Sequence, residues 1–298
     1  MAVPPLDCSV LIVSFNSAAD LPLCLDSVRR ATHRASYEII VVDNASNDGS
    51  ADLAAQDGGV RLIRNATNVG FSRANNQGFR QATGLHVLLL NPDAQLEDGA
   101  LDRMVAFLDE HPDVGIVGGR VNNPDGTLQR ASRRSVPTPM VSLFRLAGLD
   151  RLFPSHPAAR AYNLEDSDPT AIMDVGAVMG AFLMVRREAL EKVGGMDERY
   201  FLYGEDIDFC MAVRAAGWRV VYNPQAVVIH RKGASSRQAR LAANREFHRS
   251  MVLFHDKHFA ATTPGWANAL IRTAIATRGT MLDWALRLRL VRHVGSRR

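Results

Sequence analysis

Residues 86–93, with the sequence HVLLLNPD, indicate the class of fold. Val87, Leu88, Leu89 and Leu90 form an uninterrupted apolar run, which is typical of a parallel strand covered by helices on both faces. Pro92 has no backbone N–H and cannot continue a hydrogen-bond ladder. The stretch therefore predicts a buried strand that ends on an aspartate.

The tripeptide Asn-Pro-Asp occurs a second time, at residues 123–125, where Gly126 follows it. Asp-Gly is typical of a tight hairpin turn, so turn chemistry alone explains this second copy. The first copy is either a similar turn or an acid placed for chemistry. The tripeptide by itself leaves both interpretations open.

Further strand patterns, most of them rich in apolar residues, lie on both sides of residues 86–93. They occupy residues 8–16, 37–44, 60–65 and 114–119, and helical patterns separate them. This alternation predicts an α/β fold with a mixed, mainly parallel sheet flanked by helices. Ligands of such sheets bind beyond the carboxyl ends of the strands. Three polar strand ends are then of interest, namely residues 14–16, 43–44 and 91–93.

The second half of the chain is less regular. The pattern predicts a strand over residues 173–187, interrupted at Gly180, and two further strands over residues 218–224 and 226–232. It predicts helices over residues 204–218 and 238–258. We expect one α/β domain over residues 1–235 and a C-terminal helical region over residues 236–298.

Composition restricts the class of protein. The chain has 298 residues, of which 47% are hydrophobic, enough for a sizeable core. Its three cysteines form no CxxC pair, so neither a disulfide framework nor a cysteine metal site is indicated. A reducing cytoplasm is therefore the simplest compartment for the protein. No signal-peptide pattern is visible, and the longest apolar run, residues 175–185, is too short to cross a bilayer.

The basic charge of the chain is concentrated at its C-terminal end. Residues 266–298 carry seven arginines against one acid, Asp283, which is a net charge of +6. Because the whole chain carries +4, residues 1–265 carry −2. Large apolar residues occur between the arginines at helical spacing. The pattern predicts either a basic amphipathic helix on anionic lipid or a helix packed on the domain or in a homo-oligomer. No nucleic-acid-binding motif is present.

Several acids and one histidine are candidates for chemistry. Asp93 could hold a divalent cation that escorts phosphates, since such cations prefer carboxylate and phosphate oxygens. His230 ends an apolar strand and would complete a Mg²⁺ or Mn²⁺ site only if it faces Asp93. Glu205, Asp206 and Asp208 open a helix, where acids suit the helix dipole. Because three close acids repel one another, at least one of them needs either a counter-charge or a functional role, and a general base would be a carboxylate of this kind near the reacting hydroxyl.

Two further polar segments could bind a nucleotide. Asp43 and Asn44 follow the second strand and are either a turn or contacts to a base or ribose. Residues 68–78, with Gly70 and Arg73, form a loop-to-helix junction that could bind an anion. The segment matches neither GxGxxG nor a Walker P-loop, so dinucleotide and ATPase sites are not indicated.

These segments together resemble the family-2 glycosyltransferases of the GT-A fold, and above all the bacterial rhamnosyltransferase branch that builds cell-surface polysaccharides. The resemblance extends over roughly residues 10 to 258. It is carried by the ordered set SFN, VVDNASNDGS, NVGFSRANNQG, LLLNPD, NPDGTLQ, VGAVMGAFLMVRREAL, GGMDERYFLYGEDIDFCMAVRAAGW and VVIH followed by GASS.

The resemblance implies roles for single residues. Asp93 would be the metal-binding acid of a DxD-like motif that is Asn-Pro-Asp here, His230 would complete the metal or diphosphate site, and Asp206 would be the catalytic base. The donor-binding residues would be Asp43, Asn44, Arg73, Asn75, Gly180, Ala181 and Glu205. Among these, Asp43 would contact the base, Arg73 and Asn75 would line the nucleotide cleft, and Gly180 with Ala181 would line the sugar pocket.

The implied activity is inverting transfer of a sugar from a nucleotide-diphosphate donor, expected to be dTDP-rhamnose, to a hydroxyl of a lipid-linked or polysaccharide acceptor. The expected cofactor is Mg²⁺ or Mn²⁺, and the expected location is the inner face of the cell membrane. The alternative is a non-catalytic nucleotide-sugar-binding or scaffold protein on the same fold. A sugar nucleotidyltransferase would need a Gly-rich, basic loop after the first strand, and residues 13–22 contain none.

Overall fold

The computed structural model describes residues 5–136, 153, 156–231 and 240–295. Its strands are β1 (Cys8–Ser14), β2 (Tyr37–Asp43), β3 (Val60–Arg64), β4 (His86–Leu90), β5 (Ala94–Leu96), β6 (Val114–Asn122), β7 (Arg133–Arg134), β8 (Met173–Asp174), β9 (Ala177–Val178), β10 (Phe182–Arg186) and β11 (Arg219–His230). Its α-helices are α1 (Leu21–Ala31), α2 (Ser50–Gln56), α3 (Phe71–Gln81), α4 (Ala100–Glu110), α5 (Pro157–Ala161), α6 (Arg187–Val193), α7 (Glu205–Ala215), α8 (Arg240–His258) and α9 (Gly265–Gly295).

The central sheet is mixed, as the sequence predicts. Its strand order is β3-β2-β1-β4-β10-β6-β11-β5, and β8 pairs with β11. Strands β3, β2, β1 and β4 are parallel neighbours, as are β6 and β11. The carboxyl ends of β1, β2 and β4 therefore lie at the same side of the sheet, which brings the three polar strand ends together.

Strand β10 lies between β4 and β6 and runs antiparallel to both. Phe182 is opposite Leu90, the last residue of β4. The segment that enters β10 therefore lies beside the end of β4. Hydrophobic periodicity predicts a strand here but carries no information about its neighbours, so this placement appears only in the structure.

The prediction of two separate strands over residues 218–224 and 226–232 is wrong. One strand, β11, extends through both segments, and its register against β6 shifts between Asn223 and Val227. Pro224 cannot donate to the ladder, so the chain bulges there and pairing resumes at Val227. The single long strand places His230 at its far end.

Apolar side chains cover both faces of the sheet. Residues Cys8, Val10 and Ile12 of β1 belong to one buried cluster, and Leu11 and Val13 belong to the other. This alternation explains why apolar residues occupy consecutive positions in β1, since each face of the sheet packs against helices. The three cysteines are buried and unpaired, so they pack as small apolar residues.

Helices α8 and α9 pack against each other as an antiparallel hairpin. The Asp283 carboxylate on α9 accepts hydrogen bonds from Asn244 Nδ2 and Arg245 Nε of α8, both at 2.9 Å. Within the described residues, no helix is both long and apolar enough to span a membrane. The expected domain boundary at residue 235 falls in residues 232–239, outside the described residues.

Close packing of α3 on β1 makes a prediction about stability. A Cβ at Gly78 would lie 2.1 Å from Leu11 Cδ1, which is fully buried in the core. We expect Gly78→Ala to lower the free energy of unfolding by about 1–3 kcal/mol, the usual range for overpacking. Urea denaturation would measure the change.

Gly58→Ala is the matched control, because a Cβ there would meet nothing within 4 Å. It should leave the free energy of unfolding unchanged or slightly higher. Equal stability of the two variants would contradict the packing of α3 on β1.

Candidate active site

Asp93 and His230 face each other at the end of the sheet. Asp93 lies in the turn between β4 and β5, and Ala94 of β5 is paired with His230 of β11. His230 Nε2 is 3.1 Å from Asp93 Oδ1, and both side chains are buried. Antiparallel pairing of β5 with β11 thus joins two residues that are distant in sequence.

Gln129 orients the His230 ring. Gln129 Nε2 donates to the His230 backbone carbonyl at 2.8 Å, so Gln129 Oε1 is the atom that faces Nδ1, at 3.1 Å. An amide oxygen can only accept, so Nδ1 carries the proton. When the ring is neutral, Nε2 offers its lone pair, to which Asn91 Nδ2 is close enough to donate, at 3.3 Å, and when the ring is charged, Nε2 donates to Asp93 Oδ1.

The Asp93 and His230 pair fits a divalent cation that brings most of its ligands with it. In the neutral ring, the Nε2 lone pair and the Asp93 carboxylate oxygen are two donor atoms that face each other and that a cation could bridge. Across the described ranges, no group of three or more His, Cys, Asp or Glu side chains is arranged to hold a metal. A two-donor site suits Mg²⁺ or Mn²⁺, which keep water and phosphate ligands.

The second acidic group lies at the start of α7. Asp206 Oδ2 accepts hydrogen bonds from Arg134 Nη2 at 2.7 Å and from the Gly180 backbone N–H at 3.1 Å. Arg134 is buried on β7 and also donates to the Val178 carbonyl at 2.6 Å. The buried ion pair fixes the position of the Asp206 carboxylate.

Arg134 is a site residue that sequence reasoning missed. It lies in the Pro-, Arg- and Ser-rich segment after β6, and adjacent arginines are ordinarily solvated. Only the pairing of β7 with β9 carries it to Asp206. No local sequence signal predicts that pairing.

Glu205 occupies a different environment from Asp206. Its side chain is buried, and Oε2 finds no hydrogen-bond partner among the described residues. Desolvation, together with repulsion from Asp206, raises the pKa of Glu205 to about 8. Glu205 therefore carries a proton near neutral pH, whereas Asp206 is ion-paired with Arg134.

Asp208 is held by the C-terminal region. Lys257 Nζ lies 2.8 Å from Asp208 Oδ2, and His258 Nε2 lies 2.7 Å from Oδ1. The Tyr200 hydroxyl donates to Oδ1 at 3.3 Å. The Lys257 and His258 contacts come from α8 and fasten that helix to α7, so the partners of Asp208 are structural.

Gly180 and Ala181 connect the two acidic groups. The Ala181 carbonyl accepts the Asn91 backbone N–H at 3.1 Å, and the Gly180 N–H donates to Asp206. A Cβ at Gly180 would lie 3.2 Å from Asp206 Cβ, so the glycine leaves room beside the carboxylate. The structure brings Asp93, His230 and Asp206 to the same end of the sheet.

Asp43 and Asn44 differ in their partners. Asp43 Oδ2 accepts the Ser46 N–H at 3.0 Å, whereas the buried Oδ1 finds no partner in the part of the chain that the structure describes. Asn44 Nδ2 donates to the Gly70 carbonyl at 3.2 Å, and its Oδ1 accepts from Asn65 at 2.9 Å. Asp43 thus retains an acceptor for a ligand, while Asn44 holds the loop before α3.

Arg73 and Asn75 have protein partners in this structure. Arg73 Nε lies 2.9 Å from Glu198 Oε2, with about half of its side chain exposed. Asn75 is buried and donates to the Phe71 carbonyl of its own helix at 2.9 Å. Their contact with a nucleotide stays a prediction from the resemblance.

Structural comparison identifies the fold. The fold is similar to that of the mannosyltransferase PcManGT from Pyrobaculum calidifontis in complex with GDP-Man and Mn²⁺, with a TM-score of 0.59 and 20% identity over 99% of this chain and 80% of that chain. TarS residues 1–349 from S. aureus match with a TM-score of 0.57 and 16% identity, over 92% and 71% of the two chains. The fold is that of the GT-A glycosyltransferases.

Sequence comparison identifies the family. The model of glycosyl transferase family 2 matches residues 9–194, and the chain belongs to this family. The N-acetylglucosaminyl-diphospho-decaprenol L-rhamnosyltransferase of Mycobacterium tuberculosis is 32% identical over 288 residues, covering 91% of this chain and 89% of that relative. The protein is a family-2 glycosyltransferase.

The buried Glu205 carboxyl makes stability depend on pH. Its pKa of about 8 in the folded state exceeds the ordinary 4.5, so the unfolded chain loses this proton first as pH rises. The contribution of Glu205 to wild-type stability therefore falls between about pH 5 and pH 8 and levels off above. Glu205→Gln removes this loss. The melting temperature of the variant should therefore rise relative to that of the wild type as the pH increases from about 5 to about 8.

Glu191→Gln is the control, because Glu191 is exposed on α6. Melting temperatures of the three proteins, measured from pH 5 to pH 9, would separate the effects. Parallel curves for wild type and Glu205→Gln would show that Glu205 ionises normally.

Proposed function

We propose that this protein is an inverting glycosyltransferase that transfers a sugar from a nucleotide-diphosphate donor to a hydroxyl of a lipid-linked or polysaccharide acceptor. One observation carries the proposal. Asp93, His230 and Asp206 lie at the same end of the sheet, beside Gly180 and Ala181. The proposed donor is dTDP-rhamnose, a choice supported by similarity to the L-rhamnosyltransferase.

Asp206 is the proposed general base. Glu205 is protonated near neutrality, so it cannot accept a proton there. Asp208 is enclosed by Lys257 and His258. Asp206 is the remaining acid of the three, and a base must be a charged carboxylate within reach of the acceptor hydroxyl.

The proposed reaction is one displacement at the anomeric carbon. The acceptor oxygen forms the new bond to that carbon while its proton passes to the Asp206 carboxylate. The bond from carbon to the diphosphate oxygen breaks, and its electron pair leaves with the diphosphate. Because attack and departure take place on opposite faces, the anomeric configuration inverts.

The remaining site residues bind the donor in this proposal. Asp93 and His230 would hold Mg²⁺ or Mn²⁺, and such an ion would supply positive charge beside the diphosphate of the donor. Asp43 offers its free Oδ1 to the base or ribose. Arg73, Asn75, Asn44 and Glu205 complete the cleft, with Gly180 and Ala181 at the sugar. The catalytic domain corresponds to residues 1–235, and residues 236–298 form the helical region.

The outer face of α9 is the proposed contact with the membrane. Trp266, Leu270, Met281 and Trp284 are exposed, at 75%, 59%, 67% and 68%, and their spacing places them on one side of the helix. Ile275, which is buried, lies on the opposite side. Arginines flank the exposed side, so the helix suits an anionic lipid surface that carries the acceptor.

A donor-binding assay tests the metal site. Asp93→Ala should weaken Mn²⁺-dependent binding of the nucleotide sugar at least about tenfold, because a metal ligand is lost. Asp125→Ala is the matched control, since Asp125 ends the second Asn-Pro-Asp and is exposed. Titration calorimetry with dTDP-, UDP- and GDP-sugars, with and without Mn²⁺, would measure binding and identify the donor.

Asp206→Asn separates binding from turnover in the same assay. It should retain donor binding while transfer falls by about 10²- to 10⁴-fold, the usual contribution of a general base. Donor binding without transfer in the wild type, over the whole donor panel, would favour the non-catalytic binding protein. Unchanged metal dependence in Asp93→Ala would remove that residue from the metal site.

Vesicle sedimentation tests the membrane contact. Replacing Trp266 and Trp284 with serine should lower binding to vesicles that contain phosphatidylglycerol, because two large apolar anchors are removed. Leu23→Ser, at an exposed leucine of α1, is the control. If the tryptophan variant instead converts a dimer to a monomer, the face is a contact between copies of the chain.

A further inference from the structure

We infer that Arg134 is a positioning residue that holds the Asp206 carboxylate in its reactive place, an inference that rests on the proposed function. No sequence motif singled out Arg134. The inference concerns the orientation of the base, since Arg134 acts through Asp206 and contacts no reacting atom in the proposed displacement.

The guanidinium is fixed at two points. Arg134 Nη2 donates to the Val178 carbonyl at 2.6 Å and to Asp206 Oδ2 at 2.7 Å. Val178 lies two residues before Gly180, whose N–H donates to the same carboxylate oxygen. Strand pairing of β7 with β9 therefore sets where Oδ2 lies relative to the proposed sugar pocket.

The other carboxylate oxygen is held by the helix itself. Asp206 Oδ1 accepts the Ile207 backbone N–H at 2.8 Å in the first turn of α7. With donors on both oxygens, the plane of the carboxylate is fixed. Each oxygen has a second lone pair, so the base can still accept the proton of a hydroxyl.

Arg134 is also the cation that offsets the charge of Asp206. Its side chain is 9% exposed and that of Asp206 is 14% exposed, so water screens the pair weakly. A guanidinium stays protonated throughout the pH range of a protein. Without it, the buried Asp206 would keep only the two backbone N–H donors and would hold a proton more readily.

The test is the dependence of the transfer rate on pH. Arg134→Met should lower kcat at pH 7 at least about tenfold, leave donor KM within about threefold, and move the acidic limb of the profile to higher pH. Arg134→Lys keeps the positive charge and should return the limb toward its wild-type position, with partial recovery of kcat.

Arg133→Met is the matched control, because Arg133 is a buried neighbour on the same strand. Its Nη2 donates to the carbonyls of Leu164, at 3.3 Å, and Ser167, at 3.0 Å, away from Asp206. This variant should lower the melting temperature without moving the acidic limb. An unmoved limb in Arg134→Met, with kcat falling only as the folded fraction falls, would overturn the positioning role.

Failure of the proposed function is seen separately, in the wild type and in Asp206→Asn. A wild type that transfers no sugar from any donor refutes the activity, and an Asp206→Asn variant with full transfer refutes the base. Either result also removes the role of Arg134. An active wild type, an inactive Asp206→Asn and an unmoved limb in Arg134→Met refute the positioning role alone.

Discussion

The placement of β10 between β4 and β6 is the constraint on which the site depends. Because β10 is hydrogen-bonded on both sides, the segment that precedes it is held at the end of β4. The Ala181 carbonyl receives the Asn91 N–H there, and the Gly180 N–H reaches Asp206. One antiparallel strand therefore joins an acid at the end of a parallel strand to an acid at the start of a helix.

Three acids within four residues at the start of α7 avoid mutual repulsion in three different ways. Asp206 is paired with Arg134, Asp208 is paired with Lys257 and His258, and Glu205 keeps its proton. A buried carboxylate is tolerated when a cation or hydrogen-bond donor offsets its charge, and it is neutralised when none does. The three acids have similar positions at the start of the helix. They differ because their partners differ.

The two Asn-Pro-Asp tripeptides have related consequences in the folded chain. The first places Asp93 beside His230. The second forms the turn at Gly126, after which the chain returns along β6 and brings Gln129 to the His230 ring. The second copy is thus a turn, as predicted, but the turn also places the residue that orients the partner of Asp93. Local turn chemistry predicts the turn and has no information on where the chain goes next.

The sequence by itself determined the α/β class, the order of the first strands and helices, and the three polar strand ends, among them Asp93. These features follow from hydrophobic periodicity and turn chemistry, which act between residues close in the chain. Only the tertiary structure decided that β10 enters between β4 and β6, that β11 is one strand, and that Arg134 meets Asp206. These outcomes depend on pairing between segments that are distant in the chain, such as Arg134 and Asp206, 72 residues apart, and no local pattern records such pairing.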